Sequence, residues 1–492
     1  MPNTFFGLNI GTLGLQAANV NLNVTANNIA NEYTKGYSRQ VAKQQATQAL
    51  RVYQKYGMIG SGVEVVSIDR IRNEYYDKKY EENQTRLGSA QTTYYYMLKI
   101  EDLFNESTVD GFTKEYDNLF NAVEELIKDS SDITTRNVFL NYSESFLEYM
   151  QEIKNDLRLE QEDLNSEVVT NVNAINSLAQ EIATLNKQIN VVELSGAEAN
   201  ELRDRRTVLL DELSSIVSIS TDEVAYDNGK TEFTVRVGSN ILVDNYNYFS
   251  LEAVTRESNA NGNDAVGLYD IKWSYGQSFE PIKENVKGSL YSLLEVRDGN
   301  NNIETGNAYS YPIDYKGVPY YMNQIDDFLD KFTSALNEIH EKGENLYGES
   351  ASGTPLYVKS PNGVYTVNEA IKQDPKLMAT SYDSTDGASQ SDLVYDLLYT
   401  KNAEIYKGGT ASDFLQAIIT EIGVDTRKAN NKVGSYTNMQ TTIENQRQSV
   451  MGVDRDEEAM NLVKFQEAYN LSSHVISIMA EMYDRLITQT GV

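Results

Sequence analysis

Apolar seven-residue repeats lie at both ends of this 492-residue chain. Near the start, apolar residues recur at spacings of three and four, which predicts a helix over residues 5–31. This stripe consists of Phe6, Ile10, Leu13, Ala17, Val20 and Val24. A similar stripe near the end consists of Leu462, Phe465, Tyr469, Ile476, Met479 and Leu486, with Ser472 and Tyr483 in its gaps. A terminal helix cannot bury such a stripe alone, so we expect the two stripes to pack against each other or against another molecule.

The first helix carries a second apolar stripe, formed by Leu8, Leu15, Leu22 and Ile29. Its positions lie two residues beyond the grid of the first stripe, which is about 200° around the helix axis. The helix is therefore apolar on two sides, and we expect it to be enclosed from both.

Helical periodicity returns several times along the middle of the chain. It predicts helical regions over residues 73–128, 132–194, 321–345 and 411–486, the last broken near Met451-Gly452. The helix of 132–194 ends at Ser195-Gly196 and is followed by another with Leu202, Leu209, Leu213 and Ile216 on one side. These two helices are typical of an antiparallel coiled-coil hairpin.

Strand patterns occupy two other regions. Residues 62–66 predict a short strand, and Phe233, Val235 and Val237 alternate with polar residues as in a half-buried strand. Further strands are expected near 248–254 and 268–273, so residues 221–320 are predicted to form an inserted β domain, whereas 346–408 are expected to be loops with short elements.

These patterns together predict an α+β multidomain fold. Its parts are paired N- and C-terminal coiled-coil helices, a noncontiguous helical-bundle domain and an inserted β-rich domain. The predicted boundaries are 1–35 plus 455–492 for the terminal domain, 36–220 plus 321–454 for the helical domain, and 221–320 for the β-rich domain.

Composition narrows the classes of function. The formal net charge of −30, from 72 acidic and 42 basic residues, argues against nucleic-acid binding and against attraction to anionic lipid. No membrane span or cleavable secretory signal is visible. Cysteine is absent; this suits work outside the cell or passage through an export channel, and it is equally compatible with chance.

No catalytic or metal-binding constellation is apparent in the sequence. His340 and His474 are the only histidines and lie in helical patterns without zinc-ligand spacing. The acidic run at residues 454–458 lacks the spacing of a calcium loop and suits the start of the last helix. We therefore expect no enzyme activity, no cofactor and no metal.

One segment resembles a known family. Residues 25–40, which we call the signature segment, read Thr-Ala-Asn-Asn-Ile-Ala-Asn-Glu-Tyr-Thr-Lys-Gly-Tyr-Ser-Arg-Gln. This resembles the Asn-Asn-Ile-Ala-Asn signature of the flagellar rod, hook and hook-associated axial proteins, and the Gly36–Gln40 ending is most similar to the hook-associated junction members. Residues 59–71, 199–213, 337–343 and 449–487 are similar to further motifs of the family, including its shared C-terminus. Thr207 stands where the family commonly has Asp.

The resemblance implies a structural protein of the bacterial flagellum at the junction between hook and filament. It implies passage through the flagellar type III export channel and extracellular assembly through the terminal helices around a central channel. The implied partners are copies of the chain in a tubular layer, the hook protein below, the second junction protein (hook-associated protein 3) above, and a cytoplasmic export chaperone at the C-terminal helix.

The resemblance and the stripes together select the expected interface residues. At the start these are Ile10, Leu13, Ala17, Val20, Val24, Asn27, Asn28, Ile29, Ala30, Asn31, Gly36 and Tyr37. At the end, for assembly or the chaperone, they are Leu462, Phe465, Tyr469, Ile476, Met479, Met482 and Leu486.

Two alternatives stay open at this point. One is another axial protein, a hook or distal rod protein; the hairpin at 175–216 and the Gly36–Gln40 ending argue against it. The other is an exported adhesin or enzyme carried on axial termini, which would need a catalytic cluster in 221–320 or 346–408.

Overall fold

The computed structural model describes residues 6–51, 57–104, 111–226, 230–302, 313–383, 387 and 389–490. Long helices dominate them. The helices are Phe6–Ala30 (α1), Glu74–Leu103 (α2), Phe112–Lys128 (α3), Ile133–Glu193 (α4), Asn200–Ile216 (α5), Ser289–Asp298 (α6), Val318–His340 (α7), Glu369–Gln373 (α8), Asp392–Tyr399 (α9), Ala411–Met451 (α10) and Arg455–Thr490 (α11). The predicted α+β class is confirmed.

The strands are short and form small sheets. They are Gln40–Ala46 (β1), Leu50–Arg51 (β2), Met58–Ile59 (β3), Val63–Arg70 (β4), Ile219–Ala225 (β5), Thr231–Val237 (β6), Asn240–Asp244 (β7), Asn247–Tyr248 (β8), Leu251–Thr255 (β9), Tyr269–Trp273 (β10), Ser278–Phe279 (β11), Tyr357–Lys359 (β12) and Tyr365–Val367 (β13). Strands β5 to β8 form a sheet in sequence order, and β1 pairs antiparallel with β4.

The chain divides into two compact units. The first contains Met1–Leu87, Asn173–Leu251 and Ser435–Val492, and the second contains Gly88–Val172 and Glu252–Gly434. The boundaries fall within α2, α4 and α10, and the stretch 221–320 is divided at Leu251.

In the first unit, α1 packs on α11 and on the β1–β4 hairpin. Helix α1 therefore has neighbours on two sides, and this hairpin connects it to the rest of the unit. The sequence pattern does not predict strand β1. Only two of its seven side chains are buried, Gln40 and Ala42, so its apolar alternation is weak.

The second unit has a core of aromatic side chains. Phe328 stacks on Phe332 and on Tyr406, with ring centroids 5.7 Å and 5.4 Å apart. Helix α6 also belongs to this unit and lies within the stretch 221–320 that is predicted to be β-rich. Eight of its ten residues are buried, so it lacks the one-sided pattern that marks a surface helix.

Candidate assembly interface at the terminal helices

Helices α1 and α11 pack antiparallel through a row of glycines. Going forward along α1, Gly7, Gly11 and Gly14 face Met479, Ile476 and Ser472 of α11 in reverse order. A Cβ atom built on Gly11 would lie 2.9 Å from the Cγ1 atom of Ile476, and one on Gly7 would lie 2.5 Å from the Cε atom of Met479. Glycine is therefore what allows the two backbones to approach this closely.

The predicted stripe of α1 divides between two neighbours. Ala17 and Val24 are buried, whereas Ile10, Leu13 and Val20 are half-buried. A Cβ atom on Gly62, just before β4, would lie 3.0 Å from the Cδ1 atom of Leu13, so this side of α1 rests on the hairpin. The second stripe, Leu8, Leu15, Leu22 and Ile29, is half-buried throughout.

The predicted stripe of α11 is half-buried over most of its length. This holds for Leu462, Phe465, Tyr469, Ser472, Ile476, Met479 and Tyr483. Met482 and Leu486 instead keep 57% and 52% of their surface exposed. Leu486 is the exposed end of the stripe, and Met482 continues an exposed apolar row that starts at Leu471 and passes through Val475 and Ile478. This row lies one residue before the half-buried stripe, about 100° around the helix.

Charge is absent from α1. None of the 25 residues Phe6–Ala30 is acidic or basic, and its exposed positions are polar amides, hydroxyls and alanines. Enclosing this helix would remove no ion from water, and its amides and hydroxyls would need hydrogen-bond partners in the covering surface.

The asparagines of the signature segment join α1 to β1. The side chain of Asn28 accepts from the backbone N–H of Gln40 and donates to its carbonyl, both at 2.9 Å. The Tyr37 hydroxyl donates to Asn28 Oδ1 at 2.8 Å, and Asn31 donates to Asn27 Oδ1 at 2.9 Å. The amide of Asn28 thus satisfies both backbone groups of Gln40 and fixes the path of the chain after α1.

The turn between α1 and β1 depends on Gly36. Its φ of +81° lies in the left-handed region, and a side chain there would collide with Val208 of α5. Tyr37 follows directly. Burial, and then the charges of Glu201, Asp204 and Glu458, raise the pKa of its hydroxyl, so it stays protonated as a donor. Ile29 is half-buried and Ala30 is exposed.

Ser38 is bound to a carboxylate far away in sequence. Asp204 on α5 accepts from the Ser38 N–H at 2.8 Å and from its hydroxyl at 2.7 Å. The same carboxylate pairs with Arg70 at 2.9 Å and Arg72 at 3.3 Å. Asp204 is buried, so these four donors compensate its desolvation.

Arg39 binds the start of α11. Its guanidinium contacts Glu457 and Glu458, both at 2.7 Å, and its backbone N–H donates to the carbonyl of Met451 at 2.9 Å. The acidic residues that were predicted to open the last helix therefore also hold the signature segment. Hydrogen bonds from this one residue connect the path of α1 to the point where α10 passes into α11.

Several of these contacts were not foreseen from the sequence. Gly7, Gly11 and Gly14 repeat at spacings of four and three, a signal that is readable in the printed sequence. The sequence marks Asp204 only as part of a family motif at residues 199–213. The pairing of Ser38 with Asp204 spans 166 residues, and no local pattern reports it.

No group of three or more histidine, aspartate or glutamate side chains in the described ranges is arranged to hold a metal ion. Within those same ranges, no helix combines the length and the apolar character needed to cross a membrane.

Comparison with known proteins identifies the class to which these features belong. A family model for the helical domain of the flagellar hook-associated protein FlgK matches residues 97–357, more than half of the chain. The class is that of flagellar structural proteins. The chain belongs to the family of the flagellar hook-associated protein FlgK.

Similar proteins extend the match over the whole chain. Flagellar hook-associated protein 1 of Bacillus subtilis (strain 168) is 26% identical over 520 residues, covering 100% of this chain and 99% of that protein. The protein of the same name from Escherichia coli (strain K12) is 24% identical and covers 88% and 90%. The flagellar hook junction protein FlgK from Burkholderia pseudomallei is 18% identical over 57% of this chain and 47% of that chain, with a TM-score of 0.45.

Proposed function

We propose that this chain is a structural subunit of the junction between the flagellar hook and filament. In this proposal it is not an enzyme. It is exported by the flagellar type III system and assembles outside the cell through α1 and α11. Its neighbours are copies of itself in a tubular layer, the hook protein below and hook-associated protein 3 above.

The antiparallel α1–α11 pair is the observation that carries the proposal. Its glycine contacts involve Ser472, Ile476, Met479 and the edge of Val475, and they leave Leu471, Ile478 and Met482 exposed. Exposed apolar rows of this length are costly in water, so they mark a surface that another molecule covers. The uncharged α1 suits enclosure in the wall of a tube for the same reason.

Full-length similarity supports the junction role over the alternatives. The B. subtilis relative is matched over 99% of its length, so the likeness extends well beyond the termini. An enzyme or adhesin carried on axial termini would share mainly those termini. The three-domain division, with the coiled-coil pair innermost, the noncontiguous helical domain around it and residues 221–320 outermost, belongs to this proposal.

A cytoplasmic chaperone that covers α11 before export is also part of the proposal. The row that ends at Met482, together with the nearby Leu486, is the surface that it would mask. Masking is needed because the row would otherwise be exposed in the cytosol before any neighbouring subunit is available.

Deletion of the gene and complementation test the proposal. The deletion strain is expected to make hooks without filaments and to release flagellin into the medium. Wild-type protein should restore filaments, and Ile478→Asp/Met482→Asp should not. Val266→Asp is the matched control, because Val266 is an apolar residue that is 92% exposed outside the terminal helices.

The possible outcomes separate the parts of the proposal. Filaments in the deletion strain would contradict the junction role. Filaments restored by the double variant would contradict assembly through the row on α11. If the double variant is folded in the medium but absent from hooks, the result supports assembly through this row. If the double variant is retained and degraded in the cell, the defect lies before or during export.

A further inference from the structure

A buried cluster of carboxylates lies in the first unit, near the end of α10. Asp77 and Glu81 are one turn apart on the same face of α2, Asp211 comes from α5, and Arg447 comes from the end of α10. Asp77 and Glu81 are 9% and 8% exposed. Three elements that are distant in sequence therefore meet around acidic side chains shielded from water.

Two arginines pair with two of these three carboxylates, Asp77 and Asp211. Arg447 contacts Asp77 at 2.7 Å and Asp211 at 2.8 Å. Arg72 binds Asp77 through two nitrogens, at 2.7 Å and 3.0 Å, but it also contacts Asp204 at 3.3 Å. Both guanidinium groups are thus shared with carboxylates other than Glu81.

Glu81 is the carboxylate without a dedicated counterion. The groups that act on it are Asp77 and Lys78 from α2, Asp211 from α5 and Arg447 from α10. Lys78 is exposed. Arg447 already pairs with Asp77 and Asp211, and a carboxylate oxygen of Glu444 lies 3.8 Å from its guanidinium group. An ionised Glu81 would therefore add a negative charge where two are already buried.

Asp211 lacks a hydrogen-bond donor for one of its two carboxylate oxygens. Its Oδ1 atom is buried and has no hydrogen-bond partner, although its Oδ2 atom contacts Arg447. A buried acceptor without a donor costs free energy. The cluster is therefore short of a hydrogen-bond donor at Asp211 as well as of a counterion at Glu81.

We propose that Glu81 is a proton-controlled latch, which holds the end of α10 against α2 and α5 when protonated and loosens this contact when ionised. The latch is connected to the signature segment in two ways. Arg72 donates to the hydroxyl of Ser38 at 3.0 Å, and Arg447 lies one turn before Met451, whose carbonyl accepts from Arg39.

The direction of the pH effect follows from the environment of Glu81. Burial, and then the charges of Asp211 and Asp77, raise the pKa of Glu81 from 4.5 to about 7. Burial likewise raises the pKa of Asp211 to about 6, against the opposing effect of Arg447. Between the ordinary and the raised pKa the folded state binds more protons than the unfolded state, so stability falls as the pH rises through this window.

Amide hydrogen exchange of the full-length protein tests the latch. Exchange in peptides covering 74–87 and 443–451 is measured from about pH 5 to about pH 9 and corrected for the intrinsic pH dependence. We expect local opening to increase roughly tenfold or more across this range, with a midpoint near neutral pH. Glu81→Gln should remove the part of the change that has its midpoint near pH 7, because the amide cannot ionise, and leave the part near pH 6 that Asp211 contributes.

Glu82→Gln is the matched control. Glu82 is exposed, is next in sequence and pairs with Lys79 at the surface, so this variant should keep the wild-type pH dependence. A wild-type profile without a midpoint would overturn the latch, and so would equal profiles for Glu81→Gln and the wild type. If Glu81→Gln does not fold, the wild-type midpoint decides the question: a midpoint near pH 7 supports Glu81, whereas one near pH 6 assigns the effect to Asp211 and overturns the latch.

Discussion

Asp204 accepts two hydrogen bonds from Ser38, one from its backbone N–H at 2.8 Å and one from its hydroxyl at 2.7 Å. This pair joins the signature segment to α5. Arg70 and Arg72 complete the shell of the carboxylate, so Asp204 is the point at which the turn after α1 is fixed to the helical part of the first unit.

Replacing Asp204 is expected to destabilise the first unit. Asp204→Ala leaves two arginines and the Ser38 N–H without their buried acceptor, and the loss of one partner from a buried ion pair costs roughly 3–5 kcal/mol. Thermal unfolding followed by circular dichroism measures the loss, and hydrogen exchange at residues 36–40 locates it. Asp222→Ala, at an exposed position of β5, should change stability by no more than about 0.5 kcal/mol. Equal stability of the two variants would contradict the role of Asp204.

A disulfide can test the packing of α1 on α11. A Cβ atom on Gly14 would lie 3.8 Å from the Cβ atom of Ser472, which is close to the mean separation of about 3.8 Å in disulfides. The chain has no cysteine, so Gly14→Cys/Ser472→Cys introduces the only possible bridge. We expect it to form on mild oxidation of the isolated chain, seen as a shift in non-reducing electrophoresis.

The register of this disulfide has a built-in control. Gly14→Cys/Ser473→Cys moves one thiol about 100° around α11, to an exposed position, and should not form the bridge. Equal cross-linking of both pairs would show that the helices do not hold the register of the glycine row.

The second unit should lose stability in mild acid through His340. This side chain is fully buried and its Nε2 atom accepts from the Ala379 N–H at 3.0 Å. Burial lowers its pKa from 6.5 to about 4. Between these values the unfolded chain binds more protons, so the contribution of His340 is complete above about pH 6.5 and is lost as the pH falls, by up to about 3 kcal/mol.

Tryptophan fluorescence can follow the acid-induced unfolding of the second unit separately. Trp273 is the only tryptophan of the chain and is buried in the second unit, so its emission reports unfolding there. His340→Gln, whose amide oxygen can still accept from Ala379, should show a smaller loss between about pH 6.5 and 4 than the wild type. A loss of the same size in both proteins would assign the pH dependence to other groups. The expected direction is opposite to that of the Glu81 latch in the first unit.

Helix positions were largely predictable, because a helix leaves a periodic record in its own residues. The pattern over 132–194 corresponds to α4 at Ile133–Glu193, and the predicted break near Met451-Gly452 corresponds to the end of α10. The half-buried side of α11 was likewise predicted over Leu462 to Met479. In each case the information is local, since side chains three and four residues apart share one face.

The sequence by itself therefore determined the α+β class, the long helices, the apolar faces of the two terminal helices and the family signature. Only the tertiary structure decided which surfaces meet. It selected the glycine row of α1 for contact with α11, left Met482 and Leu486 exposed, and joined Ser38 to Asp204 and Arg39 to Glu457 and Glu458. The physical reason is that periodicity depends on the geometry of a few neighbouring residues. Partner choice depends instead on the desolvation and close packing of groups that lie hundreds of residues apart.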